Sequence, residues 1–273
     1  MTTPTDTPDF ATLTGRQQAT WATGDFHQIG RQIVVVSEAL VEAVDPHAGA
    51  RVLDVACGSG NTALVAARRF CEVTGVDYVP ALLERARRRA AAEGSEIEFR
   101  IGDAQALPFL DASFDAIVSV FGVMFAPDQA GTAAELLRVC RPGGRIGLAS
   151  WMPDGIAADF FGTHARYNPP PPGLPQATRW GTAVALDELF GEGAGEIRSE
   201  VRVVRQYYRS VDHAVELYAR WFGPTARTME MLDAPSRDRL RRDLAAVMSK
   251  YNVATDGTLI IESTYLQTVM DRR

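Results

Sequence analysis

The chain has 273 residues, 46% of them hydrophobic, with a formal net charge of −6 and a pI of about 5.3. Such a length buries a full core, and the acidic balance excludes any global attraction to nucleic acid or to an anionic membrane, leaving a small or neutral substrate as the expected ligand. No window reaches the ~18 apolar residues of a spanning helix, and the start MTTPTDTPDF lacks the basic and apolar regions of a leader, so a soluble cytoplasmic protein is expected.

Residues 1 to about 14 are polar and rich in Thr and Pro, as in a frayed tail. From Gln17 to about Val44 the pattern is helical, with Ile33, Val36, Leu40 and Val44 on one face, and Asp45-Pro46 ends it. The period then alternates: strand 51–56, helix 61–70, strand 72–77, helix 80–93, strands 97–102 and 114–120, helix 129–140, strand 145–150. Apolar strands alternating with helices specify an α/β fold with a parallel sheet covered on both faces. Pro80 suits a first helical turn, and Arg141-Pro142-Gly143-Gly144 stops a helix and turns into the next strand. Beyond Trp151 the periodicity lapses. The segment 153–185, with Asn168-Pro-Pro-Pro-Pro-Gly173, reads as a loop-rich insertion with at most short helices. Residues 187–191 resemble a helix end, 196–208 and 258–270 read as strands, and 211–223 and 235–250 as helices. Cys57, Cys71 and Cys140 lie in or beside apolar runs without zinc spacing, so free buried thiols and no metal are expected.

In RVLDVACGSGN (51–61), Gly58 and Gly60 stand between a strand and a helix, where a parallel sheet binds ligands and a Cβ would block close approach. Asp77 closes the next strand about 20 residues on, the place of a carboxylate that accepts from ribose hydroxyls. A helix cap is the alternative role for Asp77. Gly58-x-Gly60-x-x-Ala63 also satisfies the dinucleotide fingerprint, so an NAD-dependent oxidoreductase competes at this point. Asp54 favours a different ligand: a carboxylate inside a buried strand is costly unless it meets a cation, and S-adenosylmethionine brings an ammonium and a sulfonium where a pyrophosphate brings only negative charge. Asp103 ends the third strand, where its oxygen is placed to accept an adenine amino proton, with the Ala104 N–H beside it.

Taken together, VLDVACGSGN, VTGVDYV, IGDAQALPF, FDAIVSVFGVMF and LLRVCRPGGRIGLASW resemble the class I S-adenosylmethionine-dependent methyltransferases, within them the UbiE-like or type 11 group that methylates small molecules. The stretches occur in family order over about residues 50–151. The resemblance implies a Rossmann-like, doubly wound seven-stranded sheet of order 3-2-1-4-5-7-6 with the last strand antiparallel, in one methyltransferase domain spanning 1–273. A lid over 15–45, a cofactor-binding core over 50–151, and an acceptor-side cap from 153–185 and 209–252 divide it. Carried over by position, Ala56, Gly58 and Gly60 would touch the methionine part, Asp77 the ribose, Tyr78 the adenine face, Asp103 and Ala104 the adenine edge, and Val120 and Phe121 the floor near the methyl, with Asp54 and Gly102 completing the cofactor-binding set. CGSG replaces the CGTG of many members, a small departure.

Trp21 and Phe26 are the lid residues, closing over the cofactor to exclude water, against plain packing on the sheet. Methyl transfer by in-line displacement rests on proximity and orientation, and a base is required only for a protonated acceptor. The candidates for that base are His27, His164 and Tyr167. Trp151, Phe160, Phe161, Trp180, Tyr218, Trp221 and Phe222 are aromatics for an apolar acceptor cavity or for core. The arginines at 85, 87, 88, 89, 239, 241 and 242 read as solvated faces with local ion pairs rather than an RNA surface. The expected partner is a small-molecule acceptor undergoing O-, N- or C-methylation, with no nucleic acid or membrane, in a monomer or homodimer. A non-catalytic cofactor-binding sensor is the alternative outside the enzymes.

Overall fold

A computed structural model describes residues 9–171 and 173–273. Seven strands, β1 (Arg51–Val55), β2 (Glu72–Asp77), β3 (Ile97–Ile101), β4 (Phe114–Val120), β5 (Cys140–Trp151), β6 (Ala194–Tyr208) and β7 (Leu259–Arg272), form one sheet of order β3-β2-β1-β4-β5-β7-β6. The first five pair in parallel, and β7 runs antiparallel to both β5 and β6. The order and the antiparallel strand implied by the resemblance are therefore both present. Four of the five residues of β1 are buried, the continuous burial of a strand covered on both faces.

Helices α3 (Val34–Val44), α4 (Asn61–Ala67), α5 (Pro80–Ala92) and α6 (Gln129–Val139) cover the parallel part. One hydrophobic core joins them to the sheet through Leu40, Val52, Leu53, Leu64, Leu83, Ile117, Leu136 and Ile146. A second core lies under the cap: α7 (Gly155–Tyr167), α9 (Val211–Trp221), α10 (Gly223–Met231) and α11 (Ala234–Lys250) close over Tyr208, Leu259 and Ile261 of the last two strands. The carboxyl ends of β1 to β4 and this second core lie on the same side, joined through Trp21 and Phe26.

Several boundaries depart from the sequence reading. The frayed start lies, for residues 1–8, outside the described residues; from there Asp9 accepts from the Thr12 N–H at 3.1 Å and caps α1 (Phe10–Ala22). The single helix expected over 17–44 is broken. Gly24, at φ +80°, turns the chain, Asp25 donates its N–H to the Trp221 carbonyl at 3.1 Å, and a short helix α2 (His27–Gly30) with a 3-10 turn leads into α3. The 153–185 segment is more ordered than a loop-rich insertion: α7 has thirteen residues and buries Ile156, Phe160, Thr163 and His164 at helical spacing, and α8 (Ala183–Phe190) follows a 3-10 turn. The 141–144 turn survives as a bulge, the β4–β5 register stepping from Phe114↔Cys140 to Ala116↔Arg145. All three cysteines are free and buried.

Candidate active site

The ends of β1, β2, β3 and β4 surround a cavity. Asp54, Ala56, Gly58, Asp77, Tyr78, Gly102, Asp103, Ala104, Val120 and Phe121 all line it, drawn from four strand ends that the sequence separates by some seventy residues. Ala56 and Phe121 hold left-handed backbone at φ 54° and 53°. For residues with a Cβ this costs roughly 1–2 kcal/mol each, strain of the kind that gathers at ligand sites.

Gly60 does not line this cavity. A Cβ on Gly58, at φ +55°, meets nothing nearer than Phe26 at 4.0 Å, so Gly58 opens onto the ligand space, whereas a Cβ on Gly60, at φ +81°, would lie 3.1 Å from Ala86 and 3.3 Å from Phe99. Gly60 thus lets α5 and β3 pack against the loop. Gly58→Ala is expected to fold, with a cost of roughly 1–2 kcal/mol, and to lose ligand affinity; Gly60→Ala adds overpacking of about 1–3 kcal/mol and lowers Tm further. Thermal melts and ligand titrations on the two variants separate the roles, and equal melting with equal affinity would refute the distinction.

Asp77 is both clamp and candidate ribose acceptor. Its Oδ2 accepts the Gly58 N–H and its Oδ1 the Val79 N–H, each at 2.8 Å, so it ties the glycine loop to β2 and turns the chain into α5. Burial pushes its carboxyl up to about 6 against the pull of those donors, and each oxygen keeps a second lone pair for a ligand. Asp54 is 1% exposed, accepts only the Ala63 N–H at 2.9 Å among the described residues, and is pushed up to about 8, first by burial and further by the Asp77 charge. Its remaining acceptor capacity faces the cavity, an arrangement that a cationic ligand group would satisfy and a pyrophosphate would aggravate.

Asp103 accepts the Gln105 N–H at 3.0 Å, and Gln105 also binds Thr14 of α1 at 2.7 Å and the Asp128 N–H at 2.8 Å. Gln105 lines the cavity and was not singled out by the sequence, where a lone glutamine in a loop carries no signal. Above the glycine loop, Arg89 reaches the Ser59 carbonyl at 2.5 Å and Asn61 Oδ1 at 2.7 Å, and Arg85 pairs with Asp25 at 2.6 Å. These two arginines therefore hold the glycine loop and the segment at Asp25 rather than a solvated face. Arg241 pairs with Glu216 at 2.8 Å, as a surface cation does.

The lid lies shut. Gln18 of α1 donates to the Tyr78 carbonyl, and Trp21 meets Phe26, Phe125 and Phe222 edge-on with centroids 5.6, 5.0 and 5.6 Å away. Trp21, Phe26, Ile33, Phe121 and Phe125 also border a second cavity, so the two spaces share one wall. Behind it stand Trp151, stacked on Phe121 at 3.6 Å, then Ile156, Ala157, Phe160 and Phe161 of α7, Tyr218 and Phe222 at the end of α9, Met248, and Gln206, Ile261 and Ser263 of the last strands.

Residues 52–144 match the family described as a methyltransferase domain. An uncharacterized protein of Mycobacterium tuberculosis is 34% identical over 278 residues, covering 100% of both chains. A demethylmenaquinone methyltransferase of Deinococcus radiodurans is 42% identical over 118 residues, 42% of this chain and 48% of that one. Among solved structures, a putative methyltransferase from Bacillus halodurans superposes with TM-score 0.60 at 20% identity over 86% of this chain and 97% of that chain, a likeness of fold. The chain belongs to the class I S-adenosylmethionine-dependent methyltransferases. An enzyme that transfers a methyl group replaces the oxidoreductase and the silent sensor as its class.

In this methyltransferase none of the three candidate bases lines either cavity. His27 sits on α2 with Nδ1 3.0 Å from Ser59 Oγ, and burial with Arg89 and Arg85 nearby lowers its pKa, keeping it neutral. His164 is spent on structure: Nδ1 contacts the Phe160 carbonyl at 2.9 Å and Nε2 the Thr225 hydroxyl at 2.7 Å, joining α7 to α10. Tyr167 donates to Asp243 at 2.8 Å on the outer side of α7. Of the aromatics, Trp180 is fully buried against Phe190 and Trp221 carries Arg220 on its ring, so neither lines the second cavity. No described helix is long and apolar enough to cross a membrane, and no described cluster of His, Cys, Asp or Glu has metal-ligand geometry.

Proposed function

We propose that this methyltransferase holds S-adenosylmethionine in the first cavity and methylates an uncharged, largely apolar small molecule in the second. When bound, S-adenosylmethionine supplies a methyl whose bond to sulfonium sulfur breaks as the acceptor's lone pair takes the carbon, the bonding pair staying on sulfur as a neutral thioether. Asp54 suits the ammonium end, Asp77 the ribose hydroxyls, and Asp103 with the Ala104 N–H the adenine edge.

The observation that carries the acceptor class is the lining of the second cavity: among the described residues no lysine, arginine, histidine or carboxylate borders it, and Tyr218 is the one ionisable group, raised in pKa by burial. A charged acceptor would lose its hydration there without gaining a partner. The walls therefore act by positioning and by keeping water out, contributions that reach roughly 7–11 kcal/mol in well-oriented reactions. The acceptor attacks through a neutral lone pair, and any proton on that atom is shed to solvent as the product leaves, since no base among the described residues lines the cavity. Nothing in this lining suits a nucleic acid or a lipid surface, and the enzyme is expected to act in the cytoplasm.

The test is a panel of phenols, amines, thiols and carboxylic acids with labelled cofactor, each apolar acceptor matched with a phosphorylated or sulfonated analogue. Turnover confined to uncharged aromatic or alicyclic members is the expected result. Preference for the anionic analogues would overturn the acceptor class.

A further inference from the structure

The second cavity is apolar except at one end, where Gln206 of β6, Ser263 of β7 and Tyr218 of α9 meet. Gln206 is 6% exposed and Ser263 4%. Gln206 Nε2 donates to the Tyr208 hydroxyl at 3.1 Å and the Tyr218 hydroxyl at 3.3 Å, the two hydroxyls lie 3.3 Å apart, and Ser263 donates to Gln206 Oε1 at 3.2 Å. Two amide and three hydroxyl hydrogens enter this cluster, and those four contacts use four of them. If Tyr208 donates to Tyr218, the hydrogen left over is that of Tyr218, which borders the cavity while Tyr208 does not. The opposite choice turns the hydrogen of Tyr208, 4% exposed, toward Gln32, whose Oε1 already accepts the Tyr207 N–H at 2.9 Å. In the first arrangement one donor is aimed into the cavity. Gln206 Oε1 and Ser263 Oγ keep acceptor capacity beside it.

Resting on the acceptor reading above, we infer that Gln206, Tyr218 and Ser263 form a polar anchor for a hydroxyl or carbonyl group of the acceptor, remote from the atom that is methylated. The sheet sets the separation. The cofactor side is the end of β4, β7 lies two strands away and β6 three, so the anchor stands on the order of 10–14 Å across the sheet from the wall at Phe121. A flat bicyclic body with one hydrogen-bonding substituent spans that distance once a hydrogen bond is added. Tyr218 donates to the substituent, and Gln206 or Ser263 accepts from it when it is a hydroxyl. An apolar slot by itself tolerates many orientations; one satisfied polar pair fixes which edge of the ring faces the methyl donor. Gln206, Tyr218 and Ser263 are positioning and specificity residues, and none touches the reacting atoms.

The probes are 2-naphthol and 2-methylnaphthalene, titrated into the full chain saturated with S-adenosylhomocysteine and followed by quenching of Trp21 and Trp151, which border the cavity. Wild type is expected to bind 2-naphthol at least tenfold more tightly than 2-methylnaphthalene. In Gln206→Leu and in Tyr218→Phe the preference should fall to within about twofold, with 2-methylnaphthalene binding unchanged or improved. Tyr218→Phe keeps the ring and its packing, so it remains informative if Gln206→Leu unfolds. Equal affinity of the wild type for the two probes, or an undiminished preference in folded Tyr218→Phe, overturns the anchor. Failure of both probes to bind a protein that still binds S-adenosylhomocysteine instead overturns the reading of the second cavity as an apolar acceptor site.

Discussion

Affinity for S-adenosylhomocysteine should rise about tenfold per pH unit between pH 6 and pH 8 and then level off, because binding an ammonium beside Asp54 requires the carboxylate and the free protein holds it protonated up to about 8. The total expected gain is on the order of 100-fold. The same groups set the stability of the free enzyme in the opposite sense. The folded-state pKa values of Asp54, about 8, and Asp77, about 6, both exceed the ~3.9 of an unfolded aspartate. Their contribution to stability is complete below about pH 4 and is lost as pH rises through 6 and then 8. Thermal melts should therefore show a free protein that weakens with rising pH and a larger stabilisation by ligand at pH 8 than at pH 6. In Asp54→Asn the pH slope should vanish, and at pH 8 affinity should fall by about 3 kcal/mol, roughly 100-fold, because the ammonium is left buried without its counter-charge. Calorimetry across the pH range checks both; a flat wild-type profile would remove Asp54 from the ligand's ammonium end.

Filling the second cavity should abolish turnover while sparing the first. Ala157 borders only the acceptor space, on the face of α7 that carries Phe160 and Phe161. Ala157→Trp adds an indole there, and methyl transfer to an otherwise good acceptor should drop at least ~100-fold, since misplacement of a reacting group by about 1 Å already costs on that order. S-adenosylhomocysteine affinity should stay within about threefold, as no α7 residue lines the cofactor cavity. A point substitution is the appropriate probe here because α7 is locked to α10 through His164 and Thr225, so replacing the whole segment would dismantle the second core. Turnover persisting in a folded Ala157→Trp protein would move the acceptor elsewhere.

The parallel half of the sheet was legible because each of its signals is local. Strand, glycine turn and helix follow within seventeen residues at 51–67, and the acids at 54, 77 and 103 each sit inside or at the end of an apolar run. Gly60 shows the limit of that reading: its glycine is as visible as Gly58, but which of them faces ligand depends on where Ala86 and Phe99 pack. The cap was harder. Ile156, Phe160, Thr163 and His164 do carry helical spacing, yet the proline run after Asn168 dominates the segment and reads as loop. His164 and Tyr167 looked chemical by residue type, and only tertiary packing shows that Thr225 and Asp243 already occupy them. The polar anchor had no local signature at all. Gln206 and Ser263 stand 57 residues apart and meet because the antiparallel register pairs Val204 with Ser263 and Gln206 with Ile261. Resemblance over 50–151 reaches the first cavity but supplies only Phe121, Phe125 and Trp151 to the wall of the second, whose other lining residues lie outside that stretch.

A crystal structure with S-adenosylhomocysteine tests the central claim most directly. The account predicts ribose hydroxyls within hydrogen-bond distance of the Asp77 carboxylate, the ammonium against Asp54, and the sulfur at the wall of Val120 and Phe121, facing the second cavity. Ligand density outside the space between the ends of β1 and β4, or a sulfur turned away from Phe121 and toward solvent, would contradict it.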